Sequence, residues 1–381
     1  MTITSNLFVN QKGSTTSLKQ PKEIGYYSRT QNNEFLVSND INLKYYYLPD
    51  AALDNNLDLS SGVKKFKDVE SGFDDPHSLH GLLEVMKSHE SSKSKKLKVD
   101  IVSTRSVITK LISAAFDNVN INPINMRIVS FDDQLFIKEL PVAKSKGTSD
   151  SSGITVDQYS KFKFHSLATI SQPLALVSRE TLEKRTKKIS NNGDQFVSAV
   201  RTGVGSSKLL LGSEIDCIFD FKTDGKDNLK HYTKLACTST INSSSETLKF
   251  ENNIFRTWLS CFVVGIQRVI YGFKDKNSIL KTVEEFATDE IPVILKQNNS
   301  KVSAKCLDAI KWYGLFTEWL LKMIPRDDTK SVRPFKLILE NNHLKLIEIE
   351  QNDSEYNGLV EGEAILSNTF REWRNSFTGN E

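Results

Sequence analysis

The sequence predicts an α+β fold built on mixed β-sheets. Strand-like segments come in runs with helical patterns between them, and strands do not alternate regularly with helices along the chain. An apolar content of 38% in 381 residues is enough to bury a large core. We therefore predict a single α+β domain over residues 21–381, preceded by a flexible polar arm over residues 1–20.

Local patterns predict the elements of this domain in order. Residues 78–90 are typical of a helix, and residues 99–103 of a strand that leads into a helix, with Arg105 near its start and Thr109 one turn later. Further strands are predicted at 128–141 (two strands around Asp132 and Asp133), 162–165, 195–201 and 264–273, further helices at 250–263 and 303–324, and a hairpin at 335–350.

Residues 207–237 predict a β-hairpin that presents two carboxylates on one face. Glu214 and Asp216 stand two apart on a strand, so both side chains point the same way and need a counter-charge. A neighbouring strand with Glu-x-Lys would complete a metal-nuclease site, with carboxylates for a divalent ion and a lysine for the attacking water or the phosphate. Here the matching strand reads Lys234-Leu235-Ala236.

Charge and cysteine spacing exclude several classes of protein. A formal charge of +3 is almost neutral for this length, so any contact with nucleic acid must come from a local patch. No stretch reaches the roughly 20 apolar residues of a membrane span, and the first residues lack the build of a secretory signal. Four widely separated cysteines predict free buried thiols in a reducing compartment, the nucleus or the cytosol.

Two side chains have roles that the residues alone leave open. Arg105 is either a bidentate partner for a phosphate or carboxylate, or a capping arginine in a salt bridge. His165 is expected at a strand end, on the same side as Lys163. It is either a metal ligand or general base, or an ordinary hydrogen-bonded histidine, since no second histidine lies at ligand spacing.

Six short motifs occur in a specific order between about residue 21 and about residue 350. They are Pro21-Lys22-Glu23-Ile24-Gly25, Tyr45-Tyr46-Tyr47, Arg105-x-x-x-Thr109, Val200-Arg201-Thr202, Leu211-Gly212-Ser213-Glu214-Ile215-Asp216-Cys217 and Phe262-Val263-Val264-Gly265. This ordered set resembles the DXO-type decapping nucleases, a family that includes the fungal partner protein of the nuclear 5′-to-3′ exoribonuclease.

The resemblance implies a fold and a chemistry. The expected fold is a pair of mixed β-sheets with flanking helices, related to metal-dependent nucleases. The expected activity is hydrolysis at the 5′ end of RNA with Mg²⁺ or Mn²⁺, which releases pyrophosphate or an incomplete cap. The expected partners are the RNA 5′ end and a 5′-to-3′ exoribonuclease, and the expected location is the nucleus, with the cytoplasm as the alternative.

The family's site is intact in two places and changed in three. Arg105 and Thr109 match its arginine-x-x-x-threonine motif, and Glu214 and Asp216 match its glutamate-apolar-aspartate motif. The resemblance assigns RNA contacts to Arg105, Thr109 and Arg201, and metal contacts to Glu214 and Asp216. The changed positions are Lys161 and His165 in place of Gly-x-x-x-Glu, Lys234 and Ala236 in place of glutamate-apolar-lysine, and Ser260 in place of a glutamine.

These changes predict a site in which an ion pair replaces the metal. An intact site of this kind gathers about four carboxylates and one lysine and therefore requires a divalent cation. Here we expect Lys234 to bind Asp216 or Glu214, which makes metal binding weak or absent and removes the activated water. The leading expectation is a catalytically impaired protein that binds and stabilises an exoribonuclease.

Two alternatives stay open. In the first, the protein is an active hydrolase in mRNA cap quality control, with an ion on Glu214 and Asp216 and with Lys234 or His165 in place of the missing lysine. In the second, it binds RNA without hydrolysis through a basic cleft, whose cations would be Arg105, Lys161, Lys163, Arg201 and Lys234.

Overall fold

The fold consists of two mixed β-sheets with flanking helices. The computed structural model describes residues 3–14, 17–117, 122–140, 154–223, 227–298, 300–327 and 330–377. The strands are β1 (Thr4–Phe8), β2 (Leu18–Arg29), β3 (Phe35–Val37), β4 (Tyr45–Tyr46), β5 (Ile101–Thr104), β6 (Asn125–Phe131), β7 (Gln134–Glu139), β8 (Thr169–Ile170), β9 (Gln195–Val204), β10 (Ser207–Ile215), β11 (Cys217–Ile218), β12 (Tyr232–Ser239), β13 (Arg268–Lys274), β14 (Leu280–Ala287), β15 (Arg333–Glu340) and β16 (His343–Glu348). The helices are α1 (His80–Lys93), α2 (Arg105–Ser113), α3 (Val156–Leu167), α4 (Arg179–Lys184), α5 (Ser244–Phe262), α6 (Ile291–Gln297), α7 (Ser303–Met323), α8 (Tyr356–Val360) and α9 (Asn368–Ser376). The predicted fold class is confirmed.

Both sheets combine parallel and antiparallel pairs. The larger has ten strands in the order β1-β16-β15-β6-β7-β5-β10-β9-β2-β3, and the smaller has six in the order β14-β13-β12-β11-β4-β8. In the larger sheet β10 runs parallel to β5 and antiparallel to β9. In the smaller sheet β12 runs parallel to β13 and antiparallel to β11.

Helices cover the ten-stranded sheet on both faces. The main hydrophobic core lies beneath α2, α5 and α7, where the Trp312 indole N–H donates to the Leu111 carbonyl at 3.0 Å. A second core lies beneath α1 and α9 on the other face. The amphipathic pattern at 303–324 correctly predicted α7. In the described part of the chain no helix is both long and apolar enough to cross a membrane.

The predicted hairpin over residues 207–237 is wrong in its pairing. β10 pairs with β9 in the larger sheet, whereas β12 pairs with the short strand β11 in the smaller one. The chain changes sheets at Asp216, the single residue between β10 and β11. Glu214 and Asp216 are therefore neighbours at the seam of two sheets rather than members of one continuous strand.

The predicted strand at 162–165 is a turn of helix α3. Thr155 caps this helix: its hydroxyl accepts from the Gln158 N–H at 3.2 Å, and Gln158 Oε1 accepts from the Thr155 N–H at 3.0 Å. Tyr159, Lys163 and Phe164 are buried at helical spacing. His165 and Lys163 consequently lie on different faces of a helix.

The predicted flexible arm over residues 1–20 is also wrong where the structure describes it. Thr4–Phe8 forms β1, which pairs antiparallel with β16 from Thr4 opposite Ile347 to Phe8 opposite His343. Leu7 is buried in the main core and Trp319 donates to the Ser5 hydroxyl at 3.1 Å, so packing orders a polar segment. The single-domain assignment for residues 21–381 remains a prediction.

A buried ion-pair cluster joins the C-terminal helix to the rest of the fold. The Arg374 guanidinium donates to both oxygens of Glu90 at 2.9 and 2.8 Å and to Asp132 at 2.8 Å. Arg374 and Glu90 side chains are 2% and 0% exposed. Because an unpaired buried charge is costly, each partner depends on the others.

We predict that Arg374→Met lowers the free energy of unfolding by about 3–5 kcal/mol, because Glu90 stays buried without its cation. Urea denaturation measures this change. Arg179→Met is the matched control, since Arg179 pairs with Glu183 on an exposed helix turn, and it should leave stability nearly unchanged. A loss for Arg374→Met no larger than the control's would contradict the role of the cluster.

Candidate functional site

A cavity of about 1590 Å³ opens at the seam of the two sheets. Helix α3 presents Lys161, Phe162 and His165 to it, at the spacing of one helical face. The β10–β11 junction contributes Glu214 and Asp216, and β12 contributes residues 234–238. The strand change at Asp216 is thus what brings both carboxylates and the β12 side chains to one place.

An ion pair fills the centre of this site. The Lys234 ammonium lies 2.8 Å from Asp216 Oδ2 and 3.1 Å from Oδ1, and the Leu235 N–H donates to Oδ2 at 2.7 Å. The Asp216 side chain is only 4% exposed. This is the contact expected from the sequence, and it engages both carboxylate oxygens.

The same stretch of β12 also holds His165. Its Nε2 lies 3.1 Å from the Leu235 carbonyl, which only accepts hydrogen bonds, so Nε2 bears the proton. Burial lowers the pKa of His165, and Lys234 and Lys44 add to this effect, although Asp216 opposes it. His165 is therefore a neutral hydrogen-bonded side chain at neutral pH.

The two carboxylates have opposite pKa shifts. Burial raises the pKa of Asp216, but the charge of Lys234 and the hydrogen bonds from Lys234 and the Leu235 N–H outweigh burial and lower it to about 2. Burial and the charge of Asp216 raise the pKa of Glu214, against the opposing charges of Lys234 and Arg105. Asp216 is thus held ionised by its lysine, whereas no lysine or arginine of the described residues forms an ion pair with Glu214.

The residues present do not fit a divalent metal ion. Mg²⁺ and related ions require several oxygen ligands free to point at one centre. Both oxygens of Asp216 are engaged by Lys234, and the described chain has no group of three or more His, Cys, Asp or Glu side chains that could hold a metal. An ammonium stands beside Asp216 where an ion would have to bind.

Arg105 and Thr109 lie next to the site but do not line the cavity. Arg105 begins α2, is 9% exposed, and its Nη1 has no hydrogen-bond partner in the described chain. Its charge acts on Glu214. The Thr109 hydroxyl donates to the Arg105 and Ser106 carbonyls, each at 3.0 Å, so its hydrogen bonds stay within helix α2.

Three further residues expected at the cleft lie elsewhere. Arg201 is exposed on β9, six residues beyond Gln195, which does line the cavity. Lys163 is buried and donates to the Thr186 and Lys188 carbonyls at 2.9 and 2.7 Å. Ser260 donates to the Thr257 carbonyl at 2.9 Å on α5, one turn past the residues of that helix that face the cavity.

Sequence reasoning missed most of the charged lining. Six cations and five carboxylates line the cavity in the described chain: Lys44, Lys64, Lys161, Lys188, Lys234, Arg256, Asp68, Glu70, Asp194, Glu214 and Asp216. Burial and Lys188 lower the pKa of Lys44, while Asp194, Glu214 and Asp216 raise it, so these charges act on one another. Most of the missed residues lie on connecting segments, where no periodic pattern marks them.

We predict a pH-dependent contribution of Asp216 to stability. Its folded pKa of about 2 lies below the ordinary 3.8, so the contribution is fully present above pH 3.8 and is lost as the pH falls toward 2. Asp216→Asn should therefore cost about 2 kcal/mol at pH 6 and about 1 kcal/mol at pH 2.5, measured by denaturant unfolding. Asp289→Asn, at an exposed position, is the control. An equal cost of Asp216→Asn at both pH values would contradict the ion pair.

Comparison with known proteins agrees with the motifs. The family described as RAI1 like PD-(D/E)XK nuclease matches residues 19–371. The chain is 57% identical over 385 residues to Decapping nuclease RAI1 of Saccharomyces cerevisiae, covering 99% of this chain and 100% of the relative. It is 58% identical over 379 residues to Decapping nuclease RAI1 of Kluyveromyces lactis, covering 98% and 99%. The crystal structure of Candida albicans Rai1 in complex with pU5-Mn²⁺ is similar with a TM-score of 0.86 at 33% identity, covering 98% of this chain and 100% of that one. This chain therefore belongs to the RAI1-like family of PD-(D/E)XK nucleases.

Proposed function

We propose that this chain is a RAI1-family protein that does not hydrolyse RNA 5′ ends and that binds and stabilises a 5′-to-3′ exoribonuclease, with RNA as a second ligand. The observation that carries the proposal is the Lys234 ammonium on both oxygens of Asp216. A metal-dependent hydrolase needs that carboxylate for an ion, which would act as Lewis acid and activate water.

Electrostatics supports the loss of the metal. A lysine in place of a carboxylate removes one negative charge and adds one positive charge, a change of two units at the point where a divalent cation would bind. If a metal ion displaced Lys234, the ion would also be repelled by Lys44, whose charge interacts with the same two carboxylates. The cavity therefore has a cation of its own and repels another.

RNA binding is supported by the same charges. Candida albicans Rai1 forms a complex with pU5-Mn²⁺. In this chain Lys161 and Lys188 line the cavity beside the Asp216–Lys234 pair, and ammonium groups neutralise a phosphate directly. We propose that an RNA 5′ phosphate binds these lysines without a metal ion.

The exoribonuclease partner and nuclear location rest on the family resemblance. The fold is similar to that of Candida albicans Rai1 over 98% of the chain, so the surface around the cavity has the same framework. A surface that binds a partner is preserved when a cavity loses its chemistry. The proposed role therefore places the partner contact away from Asp216 and Lys234.

The alternative is an active 5′-end hydrolase with a rearranged site. Identity of 57% and 58% to two decapping nucleases supports it, as does Glu214, which lines the cavity and has no ion pair among the described residues. In this alternative Glu214 and Asp216 share an ion, and Lys234 or His165 takes the role of the missing lysine. It requires Lys234 to leave Asp216.

We predict no metal-dependent turnover of triphosphorylated, incompletely capped or monophosphorylated RNA in Mn²⁺ or Mg²⁺, and no difference between the wild-type protein and Asp216→Ala. Product analysis on denaturing gels measures this. Hydrolysis that requires the metal and disappears in Asp216→Ala would overturn the proposal in favour of the alternative.

The triple variant His165→Glu, Lys234→Glu and Ala236→Lys is the positive control, which establishes that the assay can detect hydrolysis by this fold. Because it restores carboxylates and a lysine, its metal-dependent rate should exceed the wild-type background by at least about a hundredfold.

We predict that the chain forms a complex with the 5′-to-3′ exoribonuclease of the same organism and raises its melting temperature, because a ligand that binds only the folded state stabilises it. Size-exclusion chromatography and thermal unfolding measure both effects. The Lys234→Met variant should bind equally well. If the wild-type protein forms no complex, the proposed partnership is wrong. If the wild-type protein forms one and Lys234→Met does not, the partner surface includes the cavity.

A further inference from the structure

We propose that a second surface, remote from the cavity, binds the phosphate backbone of single-stranded RNA. This basic patch consists of Lys19 and Lys22 on β2, Arg201 on β9, Lys208 on β10, and His89 and Lys93 on α1. Lys22, Lys93, Arg201 and Lys208 are exposed, and Lys19 and His89 are half-buried. The proposal does not depend on whether the cavity hydrolyses RNA.

Strand register aligns the four cations of the sheet. Lys22 pairs with Arg201, and Lys208 pairs with Gly203, two residues beyond Arg201 on the same face of β9. A bulge lies between Lys19 and Lys22, which lets residues three apart point to one side. A Cβ on Gly203 would lie 2.8 Å from Lys19 Cδ, which places the Lys19 side chain over that face.

Helix α1 brings two further basic side chains to the same face. His89 Nδ1 lies 3.2 Å from the Ile24 carbonyl on β2. Burial lowers the pKa of His89, and the charges of Lys93, Arg201 and Lys22 lower it further, so all three cations are close enough to act on the ring. Residues from three strands and one helix thus form one continuous surface.

The cations of the patch are not compensated by ion pairs within the part of the chain that the structure describes. None of its lysines, nor Arg201, forms a salt bridge there. Asp100 accepts the Lys208 backbone N–H with Oδ2 at 2.7 Å and pairs with Arg326 through Oδ1 at 3.0 Å. A surface of five cations in a chain with a formal charge of only +3 is a local concentration of positive charge.

The chemistry of the patch favours an extended polyanion over an acidic protein. None of the large apolar side chains exposed in the described chain comes from β2, β9, β10 or α1, so the patch lacks the apolar anchors of a protein interface. Point charges spaced over adjacent strands suit phosphates along a strand of RNA and give no base specificity.

The patch is separate from the cavity. Arg201 lies opposite Leu210, and Leu210 is four residues before Glu214 on β10, a distance of about 13 Å along the strand. Helix α1 packs over the sheet between them, with Leu82 against Gly212. RNA that lacks a 5′ phosphate therefore tests the patch independently of the lysines in the cavity.

The test is fluorescence anisotropy with a 5′-hydroxyl oligouridine labelled at its 3′ end, with the full chain, without divalent metal, at several salt concentrations. Arg201→Gln with Lys208→Gln should weaken binding about tenfold and reduce the slope of log K against log salt by about 1.4, two contacts at about 0.7 each for single strands. Lys22→Gln with Lys93→Gln should have a similar effect. The control is Lys276→Gln with Lys281→Gln, which removes two positive charges at the far edge of the smaller sheet. It should change neither the affinity nor the salt slope.

Three results would overturn the proposal: unchanged binding in both patch variants, an equal loss in the edge control, or stronger competition by polyglutamate than by unlabelled RNA. The last would assign the patch to an acidic protein segment. Unchanged thermal unfolding of the variants establishes that they are folded, as expected for exposed positions.

Discussion

The passage of the chain from one sheet to the other at Asp216 is the constraint on which the site depends. β10 ends at Ile215 in the larger sheet and β11 begins at Cys217 in the smaller one, so one residue crosses the seam. Its carboxylate is buried and needs a cation and N–H donors to be stable there. Lys234 and the Leu235 N–H supply them from β12, which ties the second sheet to the first.

The same contact offsets part of the negative charge in the cavity. Burial and the charge of Asp216 both destabilise an ionised Glu214, and Lys234 and Arg105 offset part of this. In a site that depends on a metal ion, the carboxylate charges are balanced only while the ion is bound, whereas a lysine side chain is always present. Lys234 therefore balances the charge at the seam by pairing with both oxygens of Asp216.

The two basic surfaces differ in how their charges are arranged. In the described part of the cavity wall, cations and carboxylates occur in nearly equal number, and Lys234 and Arg256 are each paired with an aspartate. On the sheet surface around Arg201, the cations have no such partners among the described residues. A charge pattern of the first kind suits one localised group, such as a terminal phosphate, and one of the second kind suits an extended chain.

Elements with local signals were predictable from the sequence, and contacts set by tertiary structure were not. Asn341 and Asn342 both have positive φ, as a two-residue hairpin turn requires, and the hairpin of β15 and β16 was predicted from them. The ion pair of Lys234 with Asp216 was also predictable, because the family motifs place both residues in one site. Alternating Phe and Lys at 161–164 imitated a strand, although Thr155 and Gln158 carried the signature of a helix cap.

The face on which Arg201 lies could not be predicted from the sequence, since it depends on which sheet and which helix cover β9. Residues such as Lys44 and Lys188 reach the cavity from segments without a periodic pattern, so only the folded chain identifies them. The sequence therefore located Asp216 and Lys234 at the centre of the site, whereas the charged residues that surround this centre could be identified only from the structure.

Anomalous diffraction from crystals soaked in Mn²⁺ distinguishes an ion pair at Asp216 from a metal site. We expect no anomalous peak at Asp216 and a Lys234 ammonium within hydrogen-bond distance of both Asp216 oxygens. A manganese ion bound to Asp216 with ordinary short bonds, with Lys234 displaced, would contradict this expectation.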